Sequence, residues 1–186
     1  IGTQAGKSIT TGNQNIAIGA DSMNSGTGQI TGDNNIAIGV SAGDALTSGN
    51  ANVLIGKDAG GAIAAAERNL IIGHEAGITT NGASRLIVLG YAAGQANMTT
   101  DATGTVLAGY GAGNAITSGI GNVAIGYQAL LVEDDGDYNT AIGYQALTNQ
   151  TGVSGETANT AIGYKAGNSI TTGVKNIFIG RSAGAS

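Results

Sequence analysis

The chain has 186 residues, of which 34 are Gly and only 10% are charged, with a formal net charge of −5 and no Pro, Cys or Trp. Recurring Ile, Val, Leu and Ala exclude charge-driven disorder, and Gly with neither a three-residue period nor Pro excludes collagen. Seven scattered Lys and Arg argue against a nucleic-acid partner, the apolar runs are too short for membrane insertion, and the lack of Cys removes disulfides and thiolate metal sites.

Ile1-Gly2 opens in mid-repeat, so residues 1–186 are expected to be a single repeat array excised from a longer fibre. Following the glycine of each "Ile-Gly" along the chain gives Gly2, Gly19, Gly39, Gly56, Gly73, Gly90, Gly109, Gly126, Gly143, Gly163 and Gly180. Successive intervals are 17, 20, 17, 17, 17, 19, 17, 17, 20 and 17 residues, a 17-residue unit with small insertions. The insertions fall in polar stretches, around residues 24–28 and 151–155 among others, where a loop grows without disturbing a core.

A short strand is expected just before each anchor glycine. The residue one before it is Ile in nine of eleven copies, with Leu89 and Ala108 as exceptions. Three before it come, in chain order, Ile16, Ile36, Val53, Leu70, Ile87, Val106, Val123, Thr140, Thr160 and Ile177. These two positions share one face of a strand, and their β-branched preference assigns that face to the core. Three after the anchor stands Ala in ten copies and Ser22 in the other. Seven after it, some coils place Ile9, Leu46, Ile63, Ile116 and Ile170. Seventeen residues are too few for a two-helix repeat. The expected fold class is therefore all-β, a parallel β-solenoid of about eleven coils, stacked at roughly 4.8 Å into a rod of about 50 Å.

Four before the anchor is Asn in eight of ten copies: Asn15, Asn35, Asn52, Asn69, Asn122, Asn139, Asn159 and Asn176. In register their amides form a hydrogen-bonded ladder, with a ligand-binding stripe as the alternative. The ladder breaks at Leu86 and Thr105. Two before the anchor the outer coils carry Ala, the central ones Leu54, Ile71, Val88 and Leu107, and the last Phe178. Alternation puts these two positions opposite the core-facing pair. Leu54, Ile71, Leu86, Val88, Leu107 and Phe178 are therefore expected to form an apolar oligomer interface, most simply a homotrimer; coverage by a loop of the same chain is the other reading.

The segments NIAIGADS, NVAIGYQAL, NTAIGYQAL and NTAIGYKAG resemble the repeats of trimeric autotransporter adhesin heads and of phage tail fibres. The resemblance covers essentially the whole chain, although the coils at 70–108 depart from the consensus. The 17-residue unit leans it toward the phage-type fibres. It implies a left-handed β-roll, three chains around one axis, and a structural or adhesive role outside the cell, on a virion or a bacterial surface. End-to-end stacking into a filament is a further expectation, because bare coil edges invite pairing.

Candidate chemistry is sparse. Tyr91, Tyr110, Tyr127, Tyr144 and Tyr164 each follow an anchor and form either a strip for cell-surface glycans or a packing ladder. The run Glu133-Asp134-Asp135-Gly136-Asp137 matches no EF-hand loop and reads as a solvated acidic turn, so no metal is expected. Thr/Ser pairs such as Thr10-Thr11, Thr47-Ser48 and Thr117-Ser118 raise ice binding, but turn hydroxyls bonding to backbone explain them more simply. His74 is the only His, no catalytic constellation can be assembled around it, and neither an enzyme nor a cofactor is expected.

Overall fold

The computed structural model describes residues 1–26, 28–151 and 154–185. The insertions at 24–28 and 151–155 thus lie partly outside the described residues. Ten three-residue strands form one parallel sheet: β1 Ile16–Ile18, β2 Ile36–Ile38, β3 Val53–Ile55, β4 Leu70–Ile72, β5 Ile87–Leu89, β6 Val106–Ala108, β7 Val123–Ile125, β9 Thr140–Ile142, β11 Thr160–Ile162 and β12 Ile177–Ile179. Two further strands, β8 Gly136–Asp137 and β10 Gly155–Glu156, pair parallel to each other. Every strand of the large sheet pairs in register with the next, as in Leu54 opposite Ile71 and Ile71 opposite Val88. The fold is the expected parallel β-solenoid. Its ten strands are joined by about nine turns, and the number of turns and the hand of the winding depart from the expectation of eleven left-handed coils. The first anchor, Gly2, adds no strand, although Gly19 N–H donates to Ile1 O at 2.8 Å and continues the stack.

The anchor glycines are obligatory for two reasons. Gly39, Gly56 and Gly73 have φ of 137°, 130° and 140°, where an L side chain is strained. A Cβ on Gly39 would also stand 2.4 Å from Gly56 O, so the stacking distance itself excludes a side chain.

The orientation of the strands reverses the expectation. Leu54, Ile71, Val88 and Leu107 are completely buried, Leu86 is 1% exposed, and Phe178 packs partly buried against the same core. These six residues line the interior of their own coil and cannot present an intermolecular surface. Ile16, Ile18, Ile72, Ile87, Ile125 and Ile162, expected inside, are 37–46% exposed. The cause is visible in how each coil closes. Asn52 Nδ2 donates to Ala66 O at 2.8 Å, and Asn122 Nδ2 to Gly136 O at 2.8 Å. The residue four before the anchor therefore reaches across the coil interior, and strand alternation carries the residue two before the anchor inward with it.

Across the narrow interior, large faces small. Opposite Leu54 stand Gly43 and Gly60, where an added Cβ would come within 2.6 and 2.8 Å of its methyls. Leu107 is met in the same way by Gly94 and Gly113, at 2.8 and 2.4 Å. Where the strand carries Ala17, Ala124 or Ala141, the position four after the anchor is instead Met23, Leu130 or Leu147, all fully buried. In the coils of Ala37 and Ala161 the position is Gly43 or Gly167, and the space is filled by Leu54, or by Leu147 and Phe178, of neighbouring coils.

Candidate functional site

Three surfaces and clusters stand out: the asparagine column, the tyrosine column beside the outward sheet face, and the acidic turn.

The asparagine ladder forms, but inside the coil. Asn52 Nδ2 donates to Asn35 Oδ1 at 3.0 Å, Asn139 Nδ2 to Asn122 Oδ1 at 3.0 Å, and Asn176 Nδ2 to Asn159 Oδ1 at 3.1 Å. At the same time each Oδ1 accepts the backbone N–H of the next rung, as Asn15 does from Asn35 and Asn52 from Asn69. Where the ladder is broken, the neighbours adapt: Leu86 N–H still donates to Asn69 Oδ1 at 2.9 Å, and Thr105 Oγ1 donates to Gly119 O at 3.3 Å. With these side chains hydrogen-bonded to one another, to the backbone of the next rung and across the coil, the column is an internal brace.

Tyr91, Tyr110, Tyr127, Tyr144 and Tyr164 stack with centroids 5.0–5.5 Å apart and interplanar angles of 7–22°. His74 caps one end edge-on at 5.3 Å, and the Arg181 guanidinium lies 5.7 Å from the Tyr164 centroid at the other. Sugars stack on aromatic faces, and here each inner ring covers the faces of its neighbours. Solvent meets ring edges and hydroxyls, with each ring 42–47% exposed. The column follows the anchor directly, so it runs along one border of the outward sheet face.

The acidic run is not the solvated turn expected of it. Glu133 is completely buried. Its Oε1 accepts from Gly136 N–H at 2.8 Å and Asp134 N–H at 3.2 Å. Its Oε2 is buried with no hydrogen-bond partner among the described residues. Burial pushes the Glu133 carboxyl above its usual range, opposed by those amides and by the nearby Gln150 side chain. Gln150 Nε2 donates one of its protons to Asn139 Oδ1 at 3.1 Å, and no hydrogen bond reaches Oε2 among the described residues. Carboxylate oxygens of Glu133, Asp134 and Asp135 lie within 4.8 Å of one another. Burial and the Asp134 charge raise Asp135 as well.

The remaining sequence candidates have structural partners. Thr47 Oγ1 donates to Ala64 O at 3.0 Å and Thr117 Oγ1 to Asp134 O at 3.1 Å, each tying one coil's turn to the next. His74 Nε2 lies 3.4 Å from Glu75. Among the described residues no cavity opens, and no helix is long and apolar enough to cross a membrane. No family model, curated protein or solved structure matches this chain.

Proposed function

We propose that the chain is a structural, surface-gripping segment of a fibre made of several copies of itself, most simply a homotrimer displayed outside the cell on a phage tail or bacterial surface. The observation that carries this reading is the outward face of the sheet. Its two columns, one and three before each anchor, hold Ile, Val and Leu in most rungs, and six of these Ile are 37–46% exposed. Contiguous apolar faces of this kind mark interfaces. The face carries no charged residue, and it extends over ten rungs, about 45 Å at one strand spacing per rung. A partner must be equally flat, uncharged and periodic over that length, which a second copy of this chain is. The tyrosine column along the border then supplies the aromatic, hydrogen-bonding rim common at interfaces.

This assembly differs from the expected one in its contact residues, which are Ile18, Ile72, Ile87, Ile125 and Ile162 rather than Leu54 or Leu107. A glycan-binding strip has less support, because the inner tyrosine faces are used by each other. Sedimentation equilibrium tests the proposal. A trimeric mass is expected for the wild type and a monomeric one for Ile72→Lys with Ile125→Lys, both with unchanged far-UV circular dichroism. A wild-type protein that stays monomeric at concentrations of order 100 μM, where even weak specific interfaces associate, would sink it.

A further inference from the structure

The position seven after the anchor is an interior column. Leu46, Ile63 and Ile116 fill it completely buried. In the coil of Gly126 the same position is Glu133, equally buried, and in the next coil it is Gln150. A carboxylate thus stands in the interior between aliphatic Ile116 of one neighbouring coil and Gln150 of the other. Burying a charge without a partner is costly, so a buried acid is normally paired, protonated or bound to a metal. No Lys, Arg or His forms an ion pair with Glu133, Asp134, Asp135 or Asp137 among the described residues. Asp134 and Asp135 add charge of the same sign in the same turn.

We propose that Glu133, Asp134 and Asp135 form a Ca²⁺ site in this turn, with the unpartnered Glu133 Oε2 as its buried ligand. Three observations converge on it. A carboxylate is buried in the coil interior, one of its oxygens lacks a partner, and three carboxylates gather in a single turn. The three carboxylate oxygens lie within 4.8 Å of one another, close enough to share one cation, and an irregular all-oxygen set on a turn suits the flexible coordination of Ca²⁺. Mg²⁺, at about 2.1 Å, needs a tighter and near-octahedral set. The turn holds two of the ligands at an accessible edge, Asp134 exposed and Asp135 half-buried, so the ion can enter from solvent and water can complete its shell. Bound there, Ca²⁺ neutralises the buried charge. It also ties the turn to the preceding coil, where Asp134 O accepts from Thr117 N–H and Ser118 N–H.

The test is calorimetric titration of Ca²⁺ into EDTA-stripped full-length chain, with Mg²⁺ as comparison, together with thermal melts. One Ca²⁺ per chain is expected, with Kd at or below about 1 mM and at least tenfold weaker Mg²⁺ binding. The melting midpoint should rise with Ca²⁺. Glu133→Ile restores the column's aliphatic residue, so it should fold, by circular dichroism, and show neither the heat nor the shift. Asp135→Asn, at the solvent edge, should weaken binding at least tenfold. No saturable binding up to about ten times that Kd overturns the proposal. So does binding retained within twofold in both variants, and Mg²⁺ binding as tight as Ca²⁺ overturns the choice of ion. Binding is counted per chain, so the result is independent of whether the chains self-associate.

Discussion

Asn139 Oδ1 accepts the backbone N–H of Asn159 at 3.0 Å, although these two rungs are separated by 20 residues rather than 17. Gln150, from the longer coil, enters the gap: its Nε2 donates to Asn139 Oδ1 and its Oε1 accepts from Asn159 Nδ2, each at 3.1 Å. An insertion is thereby absorbed without shifting the register of the sheet, and β9 still pairs β11 residue for residue. Asn139→Leu removes an acceptor that serves two buried donors, Asn159 N–H and Gln150 Nε2. A loss of about 2–4 kcal/mol is expected, in line with orphaned buried polar groups, read as a lowered urea midpoint.

Leu54 fills the interior against Gly43 and Gly60. Truncating it leaves a cavity that two glycines cannot close, so Leu54→Ala is expected to cost about 2–5 kcal/mol in chemical denaturation. A surface residue at that position would cost within about 0.5 kcal/mol. The experiment therefore also separates an interior Leu54 from the interface role that alternation alone suggested.

Gly56→Ala tests the stacking column. The new methyl would meet Gly73 O at 2.5 Å in a backbone with φ of 130°, and both strain and overlap count against it. A penalty of about 3 kcal/mol or more is expected, seen as a melting midpoint far below that of a control such as Ser48→Ala.

Tyr127 stacks on Tyr110 at 5.0 Å and on Tyr144 at 5.1 Å. Tyr127→Ala removes both contacts from a half-exposed site, with an expected loss of about 1 kcal/mol. Near-UV circular dichroism should lose more of the tyrosine signal than the one-sixth that one independent chromophore among the six Tyr would contribute.

Asp44 has its carboxyl raised by burial first and then by the charges of Asp58 and Asp21. A folded-state pKa above the unfolded one means that the folded chain binds more protons in the window above 3.8, so stability falls as pH rises through it. Asp44→Asn should raise the melting midpoint at pH 7, have little effect near pH 3, and flatten the curve between. Melts across pH 3–7 check the sign.

The glycine spacing in the sequence was enough to establish a stack of 17-residue coils, their register and the asparagine ladder, because one coil bonds to the next only where identical positions meet. It also separated two alternating sets of residues along each strand. Which set lies inside was decided by the tertiary structure. Alternation is symmetric between the two faces, and in the central coils both sets are apolar, so preference for β-branched residues pointed Ile18 and Ile72 inward and Leu54 and Leu107 outward. The coil closes the other way because asparagine amides reach across it to carbonyls 14 residues on, as Asn35 does to Gly49 O. One signal of this was present in the sequence: Leu or Ile two before the anchor goes with Gly four after it, and Ala there goes with Met23, Leu130 or Leu147 in three of five coils. Such size compensation means two columns face each other across a shared interior. The burial of Glu133 followed from the same cause, since its place in the seven-after column gains meaning only once that column is known to point inward.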